Sequence, residues 1–376
     1  MKKPYKVCHV TSAHGKEDVR IFHKECTSLA TKYDTYLVQL GDSYTKNDVK
    51  IVGFGKQNKG RILRMTLTAK RAVKTALSLD ADIYHLHDPE LWRFYKAFKK
   101  KNKIVIFDSH ENDADAILNK TYIPRFFRKT LRNRFVKFQK KATAKIDGVV
   151  TVTSELVEYY KPMNDLVTLV ANYPIYKEFD RYPDYDSHTL GFVGNLDDDW
   201  SIKHIINCTE KIPNCKFKLA GRGDEEYVDE LRKLSGWNKV EFLGKLQHSE
   251  VFDRLMECSI GMALLIPSFN TFWEKGTMGN TKIFEEMNVG LPIICTNFTN
   301  WKRFVDQYHC GICVDPHNEE EIYNAIKTLI DNPKLCKEMG ANGRRAIKEE
   351  FNWNNEEAKL FEFYKSIEQK MEAKNK

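Results

Sequence analysis

The sequence predicts an α/β protein built as two Rossmann-like, doubly wound domains. Three observations lead there. Short β-branched runs alternate with helical patterns, which is the rhythm of a parallel sheet with crossover helices. The alternation occurs twice, in two series separated by a stretch without periodicity. The length of 376 residues gives each series enough chain for its own core.

In the first series, strands are expected at "YKVCHVTS" (5–12), "DTYLVQL" (34–40), "ADIYHLH" (81–87), "NKIVIFDSH" (102–110) and "DGVVTVTS" (147–154). The intervening "ANYPIYKEFDRYPDYDSH" (171–188) is rich in Pro, Tyr and charge and is expected to be a linker. The second series runs through "TLGFVGN" (189–195), "CKFKLAG" (215–221), "KVEFLG" (239–244), "SIGMALLI" (259–266), "LPIICTN" (291–297) and "CGICVDP" (310–316). A last helical pattern carries Leu360, Phe363, Tyr364 and Ile367 on one stripe. The expected domains are therefore 1–180, 181–352 and a C-terminal helix, 353–376, crossing back onto the first. Open α/β sheets bind ligands at the carboxyl ends of their strands, so the two sheets are expected to face each other across a cleft.

Hydrophobic residues at 42% and charged ones at 30% are globular values, and disorder is expected only in the tail "KMEAKNK" (370–376). No apolar run reaches the roughly eighteen residues of a spanning helix; the longest is "IGMALLI" (260–266). The opening "MKKPYKVCHV" enters a strand pattern directly, so neither a spanning helix nor a signal peptide is expected. Nine cysteines at irregular spacing, several inside strand candidates, read as free buried thiols of a reducing compartment, which predicts a cytoplasmic location. Cys310 and Cys313 are expected to be ordinary strand cysteines, because a redox or zinc pair would need a helix start or a second pair.

The stretch "GNTKIFEEMNVGLPIICTN" (279–297) carries the clearest chemistry. A helix starting near Lys282 would be capped from Gly279, Asn280 and Thr281, and its first N–H groups would attract an anion such as phosphate. Lys282 adds a full positive charge. Glu285, one turn in, could accept paired hydrogen bonds from a ribose diol; Glu286 reads as a first-turn acid complementing the helix dipole. In the first half, "HVTSAHGKEDVRIFHKE" (9–25) follows a strand with a small-residue turn, including His14 and Gly15, where backbone could approach a ligand closely. Asp18, Arg20 and Lys24 offer charge near the expected cleft. "YHLHDPELW" (84–92) and "IFDSHEND" (106–113) place His85, His87, Asp88 and Glu90, then Asp108, His110 and Glu111, at two further strand ends. His85 and His87 share one strand face but supply only two of the roughly four ligands of a structural site, so no metal is predicted.

Charge gives a second lead. The net is +8, and 123–145 holds nine Lys or Arg and no acid, interleaved with Phe126, Phe127, Leu131, Phe135 and Phe138; "KAFKKKNK" (96–103) adds more. Such a helix, with Arg128, Lys129, Arg132 and Lys137 among its cations, could lie on an anionic membrane. It could also be a solvated helix with its aromatic stripe in the core. Nucleic-acid binding is not predicted, since no recognition fold or base-stacking motif accompanies the charge.

"TKIFEEMNVGLPIICTN" (281–297) resembles the signature of retaining glycosyltransferases of family 4, Lys-x-x-Glu-x-Met-x-x-Gly-x-Pro followed by a strand, and the likeness extends over nearly the whole chain. The resemblance implies a GT-B fold, an acceptor-binding first domain and a donor-binding second domain. It implies that Glu285 holds the ribose of a nucleotide sugar while Gly279, Asn280, Thr281 and Lys282 face its diphosphate. "LAGRGDEEYVDELRKL" (219–234) resembles the family's strand, Gly-x-Gly turn and helix, assigning Arg222 to the diphosphate, although Arg222 could instead answer Asp224 and Glu225. "VEFLGKLQHSEVFDRL" (240–255) resembles the strand whose end, around Gly244 and Lys245, contacts the base. "GFVGNLDDDWSIKHI" (191–205) resembles the strand into a phosphate-contacting loop, with Asn195 and Trp200-Ser201 where the family usually has cations. Thr277 stands where many members carry an earlier glutamate, and Glu274 is the nearest acid. A subset of the family shows "T-S-x-H…D-x-R-I", "HDPEL" and "D-x-H-E", all found here; by that likeness His110 touches the transferred sugar.

The implied function is a retaining, hexosyltransferase-type enzyme. It would move a sugar from a UDP-sugar or other nucleotide sugar to a glycan or lipid-linked acceptor in capsule, lipopolysaccharide or other surface polysaccharide synthesis. It would be metal-independent, without a resident cofactor, and peripheral on the inner face of the plasma membrane. The alternatives are a sugar-nucleotide epimerase of similar fold and a non-enzymatic membrane- or nucleic-acid-binding protein.

Overall fold

The computed structural model describes residues 5–120 and 122–375. Contacts divide the chain into two compact units, Met1–Asn172 with Asn354–Lys376, and Tyr173–Trp353. The division falls after Asn172 rather than at 180, because Tyr173 already packs edge-on against Phe284 and Phe351 of the second unit.

The first unit holds eight strands: β1 (Lys6–Val10), β2 (Asp34–Gln39), β3 (Tyr44–Lys46), β4 (Val49–Gly53), β5 (Ile83–Leu86), β6 (Ile104–Ser109), β7 (Gly148–Thr151) and β8 (Val167–Leu169). Their order is β3-β4-β2-β1-β5-β6-β7-β8, parallel except for β3 against β4. β5, β6 and β7 are buried at every position, as strands covered on both faces must be, which is why they read as continuous apolar runs. The β3–β4 hairpin was not apparent as strands; its signal is Asn47-Asp48, both at positive φ (49° and 59°), the residue types of a tight mirror-image turn. The helix Trp353–Asn375 packs its residues onto this unit: the Tyr364 hydroxyl lies 3.0 Å from His85 Nδ1, and the Phe363 ring fills the space over Gly148. Helix continues through the tail expected to be disordered, of which Lys376 lies outside the described residues, as does the Met1–Pro4 part of the opening segment.

The second unit holds β9 (Thr189–Leu196), β10 (Lys216–Gly223), β11 (Val240–Gly244), β12 (Ile260–Ala263), β13 (Ile293–Thr296) and β14 (Gly311–Val314), all parallel in the order β11-β10-β9-β12-β13-β14. Its core joins both sheet faces through Phe192, Phe217, Ile260, Ile294, Phe284 and Trp301. All nine cysteines are free, and eight are buried. Cys313 faces not Cys310 but Cys295, its register partner on the neighbouring strand, with the sulfurs 3.7 Å apart. Among the described residues no helix is long and apolar enough to cross a membrane.

Candidate functional site

In the second unit, β9, β10 and β11 are neighbours, so their carboxyl ends open together, the position at which parallel sheets bind ligands. A cavity of about 860 Å³ lies there, and its walls bring together Asn195, Arg222, Gly244 and Lys245 with Asp197 and Phe242. Arg222 is exposed and makes none of the ion pairs found among the described residues, so it does not answer Asp224 or Glu225. Arg232, also on the wall and not anticipated, pairs with Asp229 at 2.8 Å.

The helix Thr281–Val289 begins at Asn280, whose side chain accepts from the Lys282 N–H at 3.0 Å. It ends at Gly290 in the left-handed region (φ 89°), the conformation glycine adopts without steric cost. Gly279, Asn280, Thr281 and Glu285 are half-buried around this tip and do not line the cavity walls. Lys282 joins the two groups. A Cβ at Gly194 would fall 1.9 Å from its Cε, so the lysine crosses the strand where only glycine leaves room, one residue from Asn195. Its ammonium sits 4.0 Å from the centre of the Trp200 ring. Burial lowers the Lys282 pKa, while Glu285, Glu286 and Asp197 oppose that shift. The Trp200 face thus holds the ammonium of Lys282 by a cation–π contact.

Glu286 is not a first-turn dipole acid. It is sixth in the helix and buried, with its carboxylate against Gly261 and neither oxygen hydrogen-bonded. Burial pushes its carboxyl well above the usual range. Thr277 is also committed internally: its hydroxyl accepts from the Gly279 N–H, and its carbonyl from Trp301 Nε1. Glu274 is exposed. Just before this loop, Phe272 and Trp273 both adopt left-handed backbone (φ 55° and 57°), with Trp273 exposed, a strained pair that sequence pattern gave no means to see.

In the first unit the three strand-end motifs converge because β1, β5 and β6 are adjacent and His9 is in register with His85. Asp108, fully buried, takes a bidentate pair from Arg20 (Nε and Nη2, both 2.8 Å) and lies 2.7 Å from His110 Nε2 and 3.2 Å from His87 Nδ1. Burial would raise the Asp108 pKa, but Arg20, His110 and His87 hold it well below the usual range. His110 keeps partial exposure, with its ring 5.0 Å from that of His14. Asp88 accepts from Thr11 Oγ1 at 2.9 Å and faces His14 Nδ1 at 2.9 Å; against the effect of burial, His14, Ser12 and Thr11 hold its pKa at about 2.

Three charges expected near the cleft have structural positions instead. Asp18 caps the π-helix Val19–Cys26, accepting from the Arg20 and Ile21 N–H groups; Arg20 is buried on Asp108; Lys24 is buried, its ammonium 2.7 Å from Asn172 Oδ1. Gly15 and Glu111 are exposed, and a Cβ at Gly15 would meet nothing. His9 and Glu25 join His85 and His87 in one buried cluster of groups able to ligate a metal.

The helix Arg125–Thr143 turns most of its aromatic stripe outward rather than into the core: Phe126 is 76% exposed, Phe127, Leu131 and Phe138 are exposed too, and Phe135 is half-buried. Lys129 and Lys137 are exposed, whereas Arg128 donates to the Ile123 and Leu118 carbonyls and Arg132 pairs with Asp115 at 2.8 Å.

Residues 178–346 match the family described as glycosyl transferases group 1. An uncharacterised glycosyltransferase of Methanocaldococcus jannaschii, MJ1069, is 29% identical over 182 residues, 46% of this chain and 44% of that protein. The chain thus aligns with less than half the length of this curated relative. Among solved structures, sucrose-phosphate synthase (tll1590) from Thermosynechococcus elongatus superposes with a TM-score of 0.74 at 15% identity, covering 96% of this chain and 99% of that one. Anabaena Alr3699/HepE, solved in complex with UDP and glucose, gives 0.70 at 14% identity over 96% and 100%. The second unit therefore carries a segment matching the group 1 glycosyl transferases, in a chain whose two parallel-sheet units have the GT-B fold.

Proposed function

We propose that this protein is a retaining glycosyltransferase that moves a hexosyl group from a nucleotide-diphosphate sugar to a glycan or lipid-linked acceptor in cell-surface polysaccharide synthesis. The observation that carries the proposal is the group 1 match over 178–346, which spans the cavity at the β9–β11 strand ends and the Asn280-capped helix with Lys282. In the proposed reaction the bond from the anomeric carbon to the diphosphate oxygen breaks, and the diphosphate leaves with the electron pair. The acceptor oxygen bonds to that carbon on the same face and gives up its proton to the departing phosphate or to water. Negative charge develops on the diphosphate; Arg222, Lys282 and the N–H groups at the helix tip are the groups assigned to stabilise it, without a metal ion there. Glu285 is assigned to the ribose, Gly244 and Lys245 to the base, Asn195 to the phosphate loop, and His110 to the transferred sugar.

The exposed aromatic residues and lysines of the Arg125–Thr143 helix support a further part of the reading, peripheral contact with an anionic membrane on its cytoplasmic side. The test is to screen nucleotide sugars for protection against thermal unfolding, then to incubate the protecting donor with lipid-linked acceptors and read the anomeric configuration of the product by NMR. Inverted product would refute retention. Isomerised nucleotide sugar without acceptor would favour the epimerase. Protection by no nucleotide, or protection undiminished in Glu285→Ala, would refute the site.

A further inference from the structure

We propose that the first unit contains a closed transition-metal site, of zinc type, made by His9, Glu25, His85 and His87. The four side chains come from β1, the π-helix Val19–Cys26, β5 and the residue that follows β5; all are fully or almost fully buried, and each places one ligand atom within 4.8 Å of the others. The separations are 2.9 Å between His9 Nδ1 and His87 Nε2, 3.8 Å between His9 Nδ1 and Glu25 Oε2, and 3.9 Å between His87 Nε2 and Glu25 Oε2. Four ligands at the zinc distances of about 2.0–2.2 Å in a tetrahedron stand roughly 3.3–3.6 Å apart; the separations among His9, His87 and Glu25 bracket that range, and His85 lies within 4.8 Å of them.

The outer partners of His87 and His85 point the same way, whereas His9 Nε2 is buried without one. A metal-bound histidine turns its second ring nitrogen to a carboxylate or another polar group, which fixes the donor atom. His87 does so through Nδ1 to Asp108 at 3.2 Å, leaving Nε2 on the cluster. His85 does so through Nδ1 to the Tyr364 hydroxyl at 3.0 Å, and its buried Nε2 has no hydrogen-bond partner. Glu25 Oε1 is ion-paired with Arg20 Nη2 at 3.0 Å, which leaves Oε2 turned toward His9 and His87. Leaving a buried ring nitrogen unsatisfied is costly, and a cation bound by Glu25 Oε2 and the histidines would satisfy His85 Nε2. The π-helix contributes, because its winding stacks residues five apart and so brings Arg20 and Glu25 onto one face. With four protein ligands and no exposure the site is structural; it would hold the Asp108–His87 pair that orients His110, and it is separate from the diphosphate chemistry proposed for the second unit.

The test uses the full chain, without an affinity tag, produced in zinc-supplemented and in cobalt-supplemented medium. The expected result is about one metal per chain by mass spectrometry of the metal, with the strong visible absorption of four-coordinate cobalt in the cobalt form. Glu25→Gln and His85→Asn should each lose the metal and the absorption. Folded wild-type protein carrying less than about a tenth of an equivalent from both media would overturn the proposal, as would retention of the metal in a folded Glu25→Gln/His85→Asn double variant. Should the variants fail to fold, the cobalt spectrum of the wild type alone decides, since weak six-coordinate bands would also refute the site.

Discussion

Replacing Gly194 by alanine tests how the proposed donor site holds its cation without replacing any residue assigned to the nucleotide. The new methyl carbon would lie 1.9 Å from Lys282 Cε and 2.5 Å from its Nζ, whereas carbon atoms in contact stand about 3.5–4.0 Å apart. The lysine therefore has to move by roughly 1.5–2 Å, which carries its ammonium off the Trp200 face it now approaches to 4.0 Å. Lysine is flexible, so the fold should survive: losing the ring contact costs about 0.5–2 kcal/mol. Binding is expected to suffer more. A charge-assisted hydrogen bond is worth about 1.5–3 kcal/mol, so affinity for the nucleoside diphosphate should fall roughly 10- to 150-fold. Titration calorimetry with the nucleotide that protects the protein thermally reads this directly. The double variant Gly194→Ala/Lys282→Ala should bind no worse than Lys282→Ala alone, because both changes remove one interaction. Wild-type affinity in folded Gly194→Ala, or fully additive losses in the double variant, would refute the reasoning.

Three further outcomes are expected. Glu319 is held at a pKa of about 2 by Asn207 and His204, with Lys211 also contributing, against the effect of burial. A depressed carboxyl stabilises the fold above its unfolded pKa and loses that contribution as pH falls toward about 2, so wild type should lose about 1 kcal/mol more than Glu319→Gln between pH 5 and pH 3 after allowing for solvent screening; parallel melting curves would contradict this. Gly148→Ala would place a Cβ 2.7 Å from the Phe363 ring and should destabilise the first unit by about 1–3 kcal/mol in denaturant titrations, whereas Phe363→Ala in the same background should recover part of the loss. Lys129→Gln with Lys137→Gln should weaken flotation with anionic vesicles by about 2 kcal/mol, roughly 30-fold, and unchanged binding at low salt would remove the membrane reading.

Much of this was legible before any coordinates. The parallel strands announce themselves because burial on both faces demands continuous apolar runs, and the capped helix at Thr281 announces itself because Asn280 and Gly290 are the residue types its two ends require. What stayed hidden depends on register and on the third dimension. His9 and His85 are 76 residues apart and meet only because β1 and β5 pair with those two residues opposite each other. Glu286 reads like any early helical acid until the helix is docked and its inner face meets Gly261. Asp18, Arg20 and Lys24 look like ligand-facing charge, and local sequence cannot reveal that a cap, a buried carboxylate and Asn172 already hold them. In Arg125–Thr143 the spacing of aromatic residues was visible, but which way the stripe faced was not.

The Tyr364 hydroxyl on His85 has a bearing on how the chain acquires its structure. Because Asn354–Lys376 belong with the amino-terminal half and Tyr173–Trp353 lie between, a ribosome delivers the second unit whole before the first has all its parts. During synthesis the strands of the first unit must wait, with the histidines around β5 lacking their final partner, until the helix Trp353–Asn375 emerges; the second unit is free to fold ahead of them.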